Sequence, residues 1–387
     1  MAHNLALALP PPAPYYPAAM RCVAGVASDD LWAVAAPWWN GPSIPIAHWN
    51  DFSWDWDAYV ESPKAYARTP SYPVMSDVYA LTAKDVSAVG GVWYGRPRTP
   101  HGAYDYVWRT LIVHHDGSRV GNDQAFFDVV FSPNASDDYD RLFGVDGHDG
   151  ADPWAVGVTE IMTSSVHPPR GLAMRRRGSD WELVPTPELA DGYSFQDVAV
   201  VDDNDVWAVG IAYAGENQEP LVMHWDGTDW SEISTPASGR HGALYAVHAV
   251  SANDVWAGGE YHLVLHWDGS SWQETPVPQV AGQDVSLYDV AGEKPDDVWA
   301  VGARYYSWPL FQNSTPFAMN WDGSQWTEVP CPNAPPPSAA TIAATSLRVG
   351  PTMLLGVAAV FGSVVAVGGA PGPMNTFGGD VFAVVGT

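Results

Sequence analysis

Histidine is the side chain best placed to move protons or hold a transition metal near neutral pH, and nine of the twelve here fall into two sets by position. His48, His114, His224 and His266 occupy one place in a recurring block, as in His224-Trp225-Asp226-Gly227 and His266-Trp267-Asp268-Gly269. Four histidines look like a metal set, but one equivalent position per repeat spreads them too far apart for a four-ligand site. A repeated structural role is expected. His101, His167, His241 and His262 lie outside that block, with His248 nearby on an alternating apolar segment. These five are the candidate general acid–base groups or transition-metal ligands, with a tyrosine as partner.

Aromatic residues crowd the same inter-block segments: Trp38, Trp39, Trp93, Tyr94, Tyr104, Tyr106, Trp108, Tyr213, Tyr261, Tyr305, Tyr306 and Trp308. Scarce positive charges fall among them, at Arg96, Arg98, Arg109, Arg170 and Arg304, with Lys64, Arg68 and Arg240 close by. Aromatic planes interleaved with Arg and His offer stacking, cation–π and hydrogen-bond contacts. The expected ligand-binding set is Trp39, Trp93, Tyr94, Arg98, Tyr104, Trp108, Tyr213, Tyr305, Tyr306 and Trp308. The segment from Val92 to Arg109 is expected to be a long loop walling a pocket.

Acids form two further groups. Asp77, Asp128, Asp197 and Asp289 share a place on the first strand of their repeats. They would line a central channel, holding Ca²⁺ or water, or bond to backbone of the adjacent repeat; the repetition favours the second. Asp29, Asp30, Asp85, Asp202, Asp203, Asp205, Asp226, Asp254, Asp268, Asp296, Asp297 and Asp322 sit in turns. An insertion from Ser132 to Gly150 adds Asp137, Asp138, Asp140, Asp146 and Asp149. Asp146, His148 and Asp149 hint at Ca²⁺ without a complete loop motif, so these acids read as a solvated face. No Walker-type or dinucleotide glycine motif, Cys-rich zinc pattern or Gly-x-Ser-x-Gly elbow is present.

The elements that must position these groups repeat along the chain. Asp205-Val206-Trp207-Ala208-Val209-Gly210 returns at Asp254–Gly259 and Asp297–Gly302, with looser copies at Asp30, Asp85 and Asp152. The Trp207–Trp256 and Trp256–Trp299 spacings are 49 and 43 residues, in the roughly 40–50-residue range of four-stranded propeller blades. Asp-Gly supplies the hairpin turn between the third and fourth strands. Apolar residues on both strand faces suit a sheet sandwiched between sheets.

A seven-bladed β-propeller of four-stranded antiparallel blades is expected, a single domain over residues 1–387. The blades fall near 20–63, 74–122, 126–187, 195–236, 244–278, 287–332 and 353–387. Ser363–Gly368 fills the Asp-Val-Trp-Ala-Val-Gly place in the last, so uncharged Leu354–Ala370 reads as two strands rather than a membrane span. The last blade lacks an outer strand, and Ala6–Leu9 in the Pro-rich lead (residues 1–19) would supply it and close the ring. Loops after the second and fourth strands emerge on one face, which collects the aromatic, Arg and His residues. The Asp-rich turns emerge on the other.

These Asn-Asp-Val-Trp-Ala-Val-Gly and His-Trp-Asp-Gly-x-x-Trp units resemble the tandem repeats of a bacterial β-propeller group abundant in myxobacteria and actinobacteria. They are more distantly similar to kelch and WD40-type blades. The resemblance implies a fold and no catalytic motif, because such propellers bind, cleave and scaffold alike.

Composition narrows the function. Seventeen Lys+Arg against 44 Asp+Glu give a net charge of −27, which excludes general affinity for nucleic acid or anionic membrane. Thirty-three Asp, 11 Glu and three Lys, with 36 Gly and 34 Pro, favour turns over helices. Twenty Trp and 47% hydrophobic residues exclude disorder. Cys22 and Cys331 fall at non-equivalent places and are expected reduced. With no basic n-region and only a short apolar run at Leu5–Leu9, a cytoplasmic location is expected; an extracellular setting stays open should a leader have been removed.

The first functional expectation is a monomeric, lectin-like module binding a carbohydrate, peptide or natural product on the aromatic face. An enzyme of lyase, oxidase or cyclase type on the same face is the alternative, and a protein-interaction scaffold using the acidic face the third. Two cofactors stay open, Ca²⁺ and a His-bound transition metal.

Overall fold

The structure is a computed structural model. It describes residues 5–8, 20–27, 30–35, 43–49, 54–61, 71–97, 104–117, 119–120, 124–125, 128–130, 139–160, 168–237, 239–279, 283–306, 315–331, 353–360, 363–369 and 381–386. The strands, in chain order, begin with β1 (Leu5–Ala8). One sheet follows from β2 (Met20–Ala27), β3 (Asp30–Ala35), β4 (Ser43–Trp49) and β5 (Trp54–Glu61). The next has β6 (Ser71–Thr82), β7 (Asp85–Pro97) and β8 (Tyr104–His115). A two-stranded ribbon, β9 (Arg119–Val120) and β10 (Gln124–Ala125), precedes that sheet's outer strand β11 (Asp128–Val130).

Three regular sheets come next. They are β12 (Tyr139–Asp146), β13 (Trp154–Glu160), β14 (Arg170–Arg177) and β15 (Asp180–Val184); β16 (Tyr193–Asp202), β17 (Asp205–Ala214), β18 (Asn217–Trp225) and β19 (Trp230–Glu232); and β20 (Leu244–Ser251), β21 (Asp254–Gly259), β22 (Val264–Trp267) and β23 (Trp272–Glu274). Then come β24 (Gln283–Lys294), β25 (Asp297–Tyr306), β26 (Thr315–Trp321) and β27 (Trp326–Glu328), and finally β28 (Met353–Val360), β29 (Ser363–Gly369) and β30 (Val381–Gly386). The described residues thus form seven four-stranded antiparallel sheets and one ribbon.

The chain is an all-β β-propeller. Its inner strands β2, β6, β12, β16, β20, β24 and β28 pack in cyclic order, β28 returning to β2. The last sheet takes its outer strand from the N-terminal segment, with Leu5 opposite Gly386 and Ala8 opposite Ala383. Of the apolar segment Leu354–Ala370, residues 354–360 lie in β28 and 363–369 in β29, and no helix among the described residues is long and apolar enough to cross a membrane.

One boundary departs from the sequence expectation. Phe127-Asp128-Val129-Val130 imitates the first-strand pattern of Phe195-Gln196-Asp197-Val198, yet Asp128–Val130 pairs with β8 as an outer strand. The inner strand of the next sheet is β12, within the segment expected as an insertion. Asp140 is accordingly buried at 3% exposure, and Asp146 belongs to the ring interior rather than to a solvated face. β12 has Gly144 where β6, β16 and β24 have an acid, which is why its pattern is inconspicuous.

The repeated tryptophans and histidines build the interfaces. Trp207 packs on Trp267 and Trp272 of the next sheet, at ring separations of 5.0 and 5.3 Å. Trp256 meets Trp321 and Trp326 at 5.1 and 5.3 Å, and Trp154 meets Trp225 and Trp230 at 5.2 and 5.4 Å. Where a histidine stands opposite such a Trp in its own sheet, its ring lies against the indole, as His48 on Trp32 at 4.1 Å and His266 on Trp256 at 4.0 Å. His48, His114, His224 and His266 each bond through Nε2 to an Asp carboxylate 2.8 Å away, on Asp30, Asp85, Asp205 and Asp254. Asn320 makes the same 2.8 Å bond to Asp297, and Arg175 reaches Asp152 from the equivalent position. The four histidines therefore tie strands within a blade.

Candidate functional site

Every inner strand carries an irregularity at one place, where its pairing slips past a residue. The residues just after it, read around the ring, are Cys22, Asp77, Gly144, Asp197, Ala246, Asp289 and Gly356. Acid and small residue alternate, with Cys22 where an odd ring prevents the alternation from closing. Each acid caps two backbone amides. Asp77 accepts from Val78 at 2.8 Å and from Val145 of the next sheet at 2.7 Å. Asp197 accepts likewise from Val198 and Val247, and Asp289 from Val290 and Val357. The intervening residue must be small: a Cβ on Gly144 would lie 2.7 Å from the Asp197 Cα, and one on Gly356 2.7 Å from the Cys22 Cα. Burial pushes the Asp77 carboxyl up to about 6 and holds Asp197 and Asp289 well above the usual range. It also raises the Cys22 thiol, helped by the charge of Asp77. Their carboxylate oxygens already hold amide protons, so the inter-blade role explains them.

One turn of side chains toward the Asp-rich face lies a second tier with Tyr79, Asp146 and His248. Asp146 accepts from the Val200 amide at 2.8 Å, and His248 Nε2 donates to the Gly292 carbonyl at 2.7 Å. Burial lowers the His248 pKa. Here too the polar atoms bind the neighbouring sheet.

The opposite end of the channel is different. The residues that the pairing slips past are Arg21, Ser76, Phe143, Gln196, Tyr245, Tyr288 and Leu355, and they line a channel volume of about 280 Å³. Tyr245 and Tyr288 lie 5.8 Å apart with their planes tilted by 38°. The Tyr245 hydroxyl donates to Glu260 Oε1 at 2.8 Å, and Tyr305 and Ser286 share a hydroxyl–hydroxyl bond of 3.1 Å. Burial, then the bond to Glu260 and its charge, push the Tyr245 hydroxyl far up; burial takes Tyr305 to about 12.

Glu260 begins the turn between β21 and β22, closed by the Leu263 amide on the Glu260 carbonyl at 3.1 Å. Its central residues, Tyr261 and His262, have φ of +55° and +62°. Two left-handed central residues make a mirror-image hairpin turn normally given to Asn-Gly. A tyrosine and a histidine there cost backbone strain. The His262 amide braces this turn on the Val285 carbonyl of the next sheet at 3.0 Å. Tyr261 stands 50% exposed. The His262 Nε2 is shielded without a hydrogen-bond partner among the described residues, and burial lowers that ring's pKa.

Across the mouth, Arg141 lays its guanidinium 4.9 Å from both the Trp108 and the Phe143 ring centres. Trp108 pairs with Trp93, which is 37% exposed, across a projecting hairpin. The expected long loop is therefore mostly strand: β7 runs to Pro97 and β8 starts at Tyr104. Tyr94 and Tyr106 belong to that hairpin and Tyr306 to β25. Tyr213 is half-buried at the same face. Arg304 is held by Glu328 at 2.6 Å and covers Phe317, and Arg240 is held by Glu274 at 2.7 Å. His241 is exposed beside the mouth turn. His101, His167, Trp38, Trp39, Arg98, Trp308, Lys64 and Arg68 lie outside the described residues. No group of three or more His, Cys, Asp and Glu side chains converges as a metal site among the described residues. A larger cleft of about 1000 Å³ runs beside β14 and β15, but its charged pair Arg170–Glu188 closes on itself at 3.0 Å.

Sequence reading missed Arg21, Ser76, Arg141, Tyr245, Glu260 and Tyr288. Four of these, Arg21, Ser76, Tyr245 and Tyr288, are the residues that the strand pairing slips past. Aligning that column across the repeats would have found them.

No protein-family model matches the sequence, and no curated protein does. Solved structures do. YCF48 bound to D1 peptide superposes with a TM-score of 0.53 at 10% identity, over 98% of this chain and 94% of that one. A phage phi92 endosialidase gives 0.52 at 9% identity, over 99% and 69%. YCF48 from Cyanidioschyzon merolae gives 0.50 at 10% identity, over 100% and 98%. At a tenth identity, what this chain shares with them is the β-propeller fold.

Proposed function

We propose that this chain is a seven-bladed binding module that takes an extended peptide across the channel mouth on the aromatic face. The observation that carries this reading is the Tyr261–His262 turn. Two bulky residues are kept in a backbone conformation that glycine adopts freely, and the result is a half-exposed aromatic ring beside Tyr245, Glu260 and Tyr305. Strain of that kind persists where the side chains have a use. The channel beneath is smaller than the roughly 300–1,000 Å³ of pockets that engulf a small molecule. A mouth with aromatic and charged edges suits a chain lying across it. Among proteins of like fold, YCF48 has been solved with a peptide bound, which makes peptide the first ligand class to test.

The test immobilises the protein and measures retention of a randomised hexapeptide pool. Tyr261→Gly relieves the left-handed strain, so its melting temperature should hold or rise while retention falls at least tenfold. Unchanged retention in Tyr261→Gly, or no retention by the wild type, would overturn the proposal.

A further inference from the structure

Among the described residues, six arginines have a carboxylate partner, Arg109 has an interaction of its own, and two stand apart. Arg170, Arg175, Arg176, Arg177, Arg240 and Arg304 each pair with a carboxylate. Arg21 and Arg141 pair with none, in a chain holding 44 acidic residues. Both sit at the mouth, on the inner strands β2 and β12. Between them runs β6, whose residue there is Ser76, too short to separate them. The Ser76 Oγ and the Arg141 Nε are each shielded from solvent without a hydrogen-bond partner among the described residues. Arg21 and Ser76 line the channel together with Phe143.

A shielded guanidinium without a counter-ion is costly. Burial lowers the pKa of both arginines, and Arg21 lowers that of Arg141 further, to about 10, so the two feel each other's charge. Trp108 and Phe143 stack on Arg141 and fix its plane, an arrangement that orients the guanidinium fork without neutralising it. Arg21 and Ser76 line the channel and Arg141 stacks on Phe143, which lines it too; two arginines and a hydroxyl, lacking acceptors among the described residues, match the oxygens of a carboxylate.

We propose that Arg21, Ser76 and Arg141 form an oxyanion cradle at the channel mouth that takes a carboxylate of the bound ligand. This rests on reading the mouth as a peptide-binding face. It adds the anchor: the peptide places its C-terminal or an acidic side-chain carboxylate between blades one and three, and the rest of the chain crosses toward Tyr261.

The experiment compares retention of randomised hexapeptide pools ending in a free carboxylate with pools ending in an amide, and amide pools with Glu or Gln fixed at the third position. The carboxylate member of one comparison should be retained at least tenfold better. That preference should vanish in Arg141→Met and Arg21→Met and survive in Arg240→Gln. A terminal preference assigns the cradle to the C-terminus, and a Glu preference to a side chain. Equal retention of charged and neutral pools overturns the cradle and leaves the peptide reading standing. If no pool is retained, the peptide reading falls, and a second arm decides the cradle. In that arm inorganic phosphate replaces chloride at matched ionic strength. A melting temperature raised in the wild type but not in Arg141→Met keeps the site for a small oxyanion; no difference overturns it.

Discussion

At the scale of single residues, the blade histidines show how a repeated motif differs from a site. A His at 2.8 Å from an Asp would pass for half a catalytic pair. Here the same pair recurs in four sheets, in three of them with the ring against a tryptophan, and a fifth sheet makes the bond with Asn320. The hydrogen bond is what the position requires. His266→Asn should therefore keep the bond to Asp254 and cost about 1 kcal/mol or less, the size of an ordinary hydrogen bond plus some lost stacking. Trp256→Ala removes a fully buried indole wedged against Trp321 and Trp326 and should cost about 3–5 kcal/mol. Denaturant melts of the two variants check this. A His266→Asn loss as large as the Trp256→Ala loss would show that the imidazole does more than bridge two strands.

At the scale of elements, the strand that closes the ring matters most. β1 gives its backbone to β30, so the last sheet keeps no raw edge on that side. Deleting residues 1–12 should expose the β30 edge, lower the melting temperature substantially and promote aggregation; a truncated protein that melts like the parent would show that closure contributes little. The closing strand was legible in the sequence because the last repeat visibly stops one strand short. So were the Trp207, Trp256 and Trp299 blades, whose Asp-Val-Trp and His-Trp-Asp-Gly blocks are regular. Blade three was not, because Asp128-Val129-Val130 copies the inner-strand pattern while β12 departs from it at Gly144. The mouth was legible only in part. Aromatics such as Tyr305 and Trp108, outside the repeated blocks, stand out by composition. Arg21, Ser76 and Arg141 lie inside strands, where a polar residue facing a channel looks like any polar residue in an alternating segment.

At the scale of the whole molecule, the propeller concentrates acids along its axis, and that has a consequence for stability. Asp146 is pushed up to about 7, mainly by burial, which outweighs the amide bonds it accepts from Val200 and Gly147. Its unfolded value is near the ordinary ~3.9. The folded state thus binds this proton more tightly than the unfolded chain does. The resulting stabilisation is fully present below about pH 4 and is lost as pH rises through about 7. Asp77, raised to about 6, acts in the same sense. Two groups act oppositely near pH 6: His248 and His262, whose lowered pKa values favour folding as pH rises. Asp85 does not interfere in that window. Burial raises it, but the bonds from His114 and Arg176 more than offset this and hold its carboxyl far below the usual range. Because these groups overlap, the informative measurement is a difference between proteins. Asp146→Asn keeps an oxygen for the Val200 amide and removes the titration. Its melting temperature should exceed that of the wild type at pH 8, and the gap should shrink steadily toward pH 5. An Asp146→Asn protein less stable than wild type at pH 8, or a gap that does not change with pH, would mean that the axial carboxylate is held ionised by its amide donors.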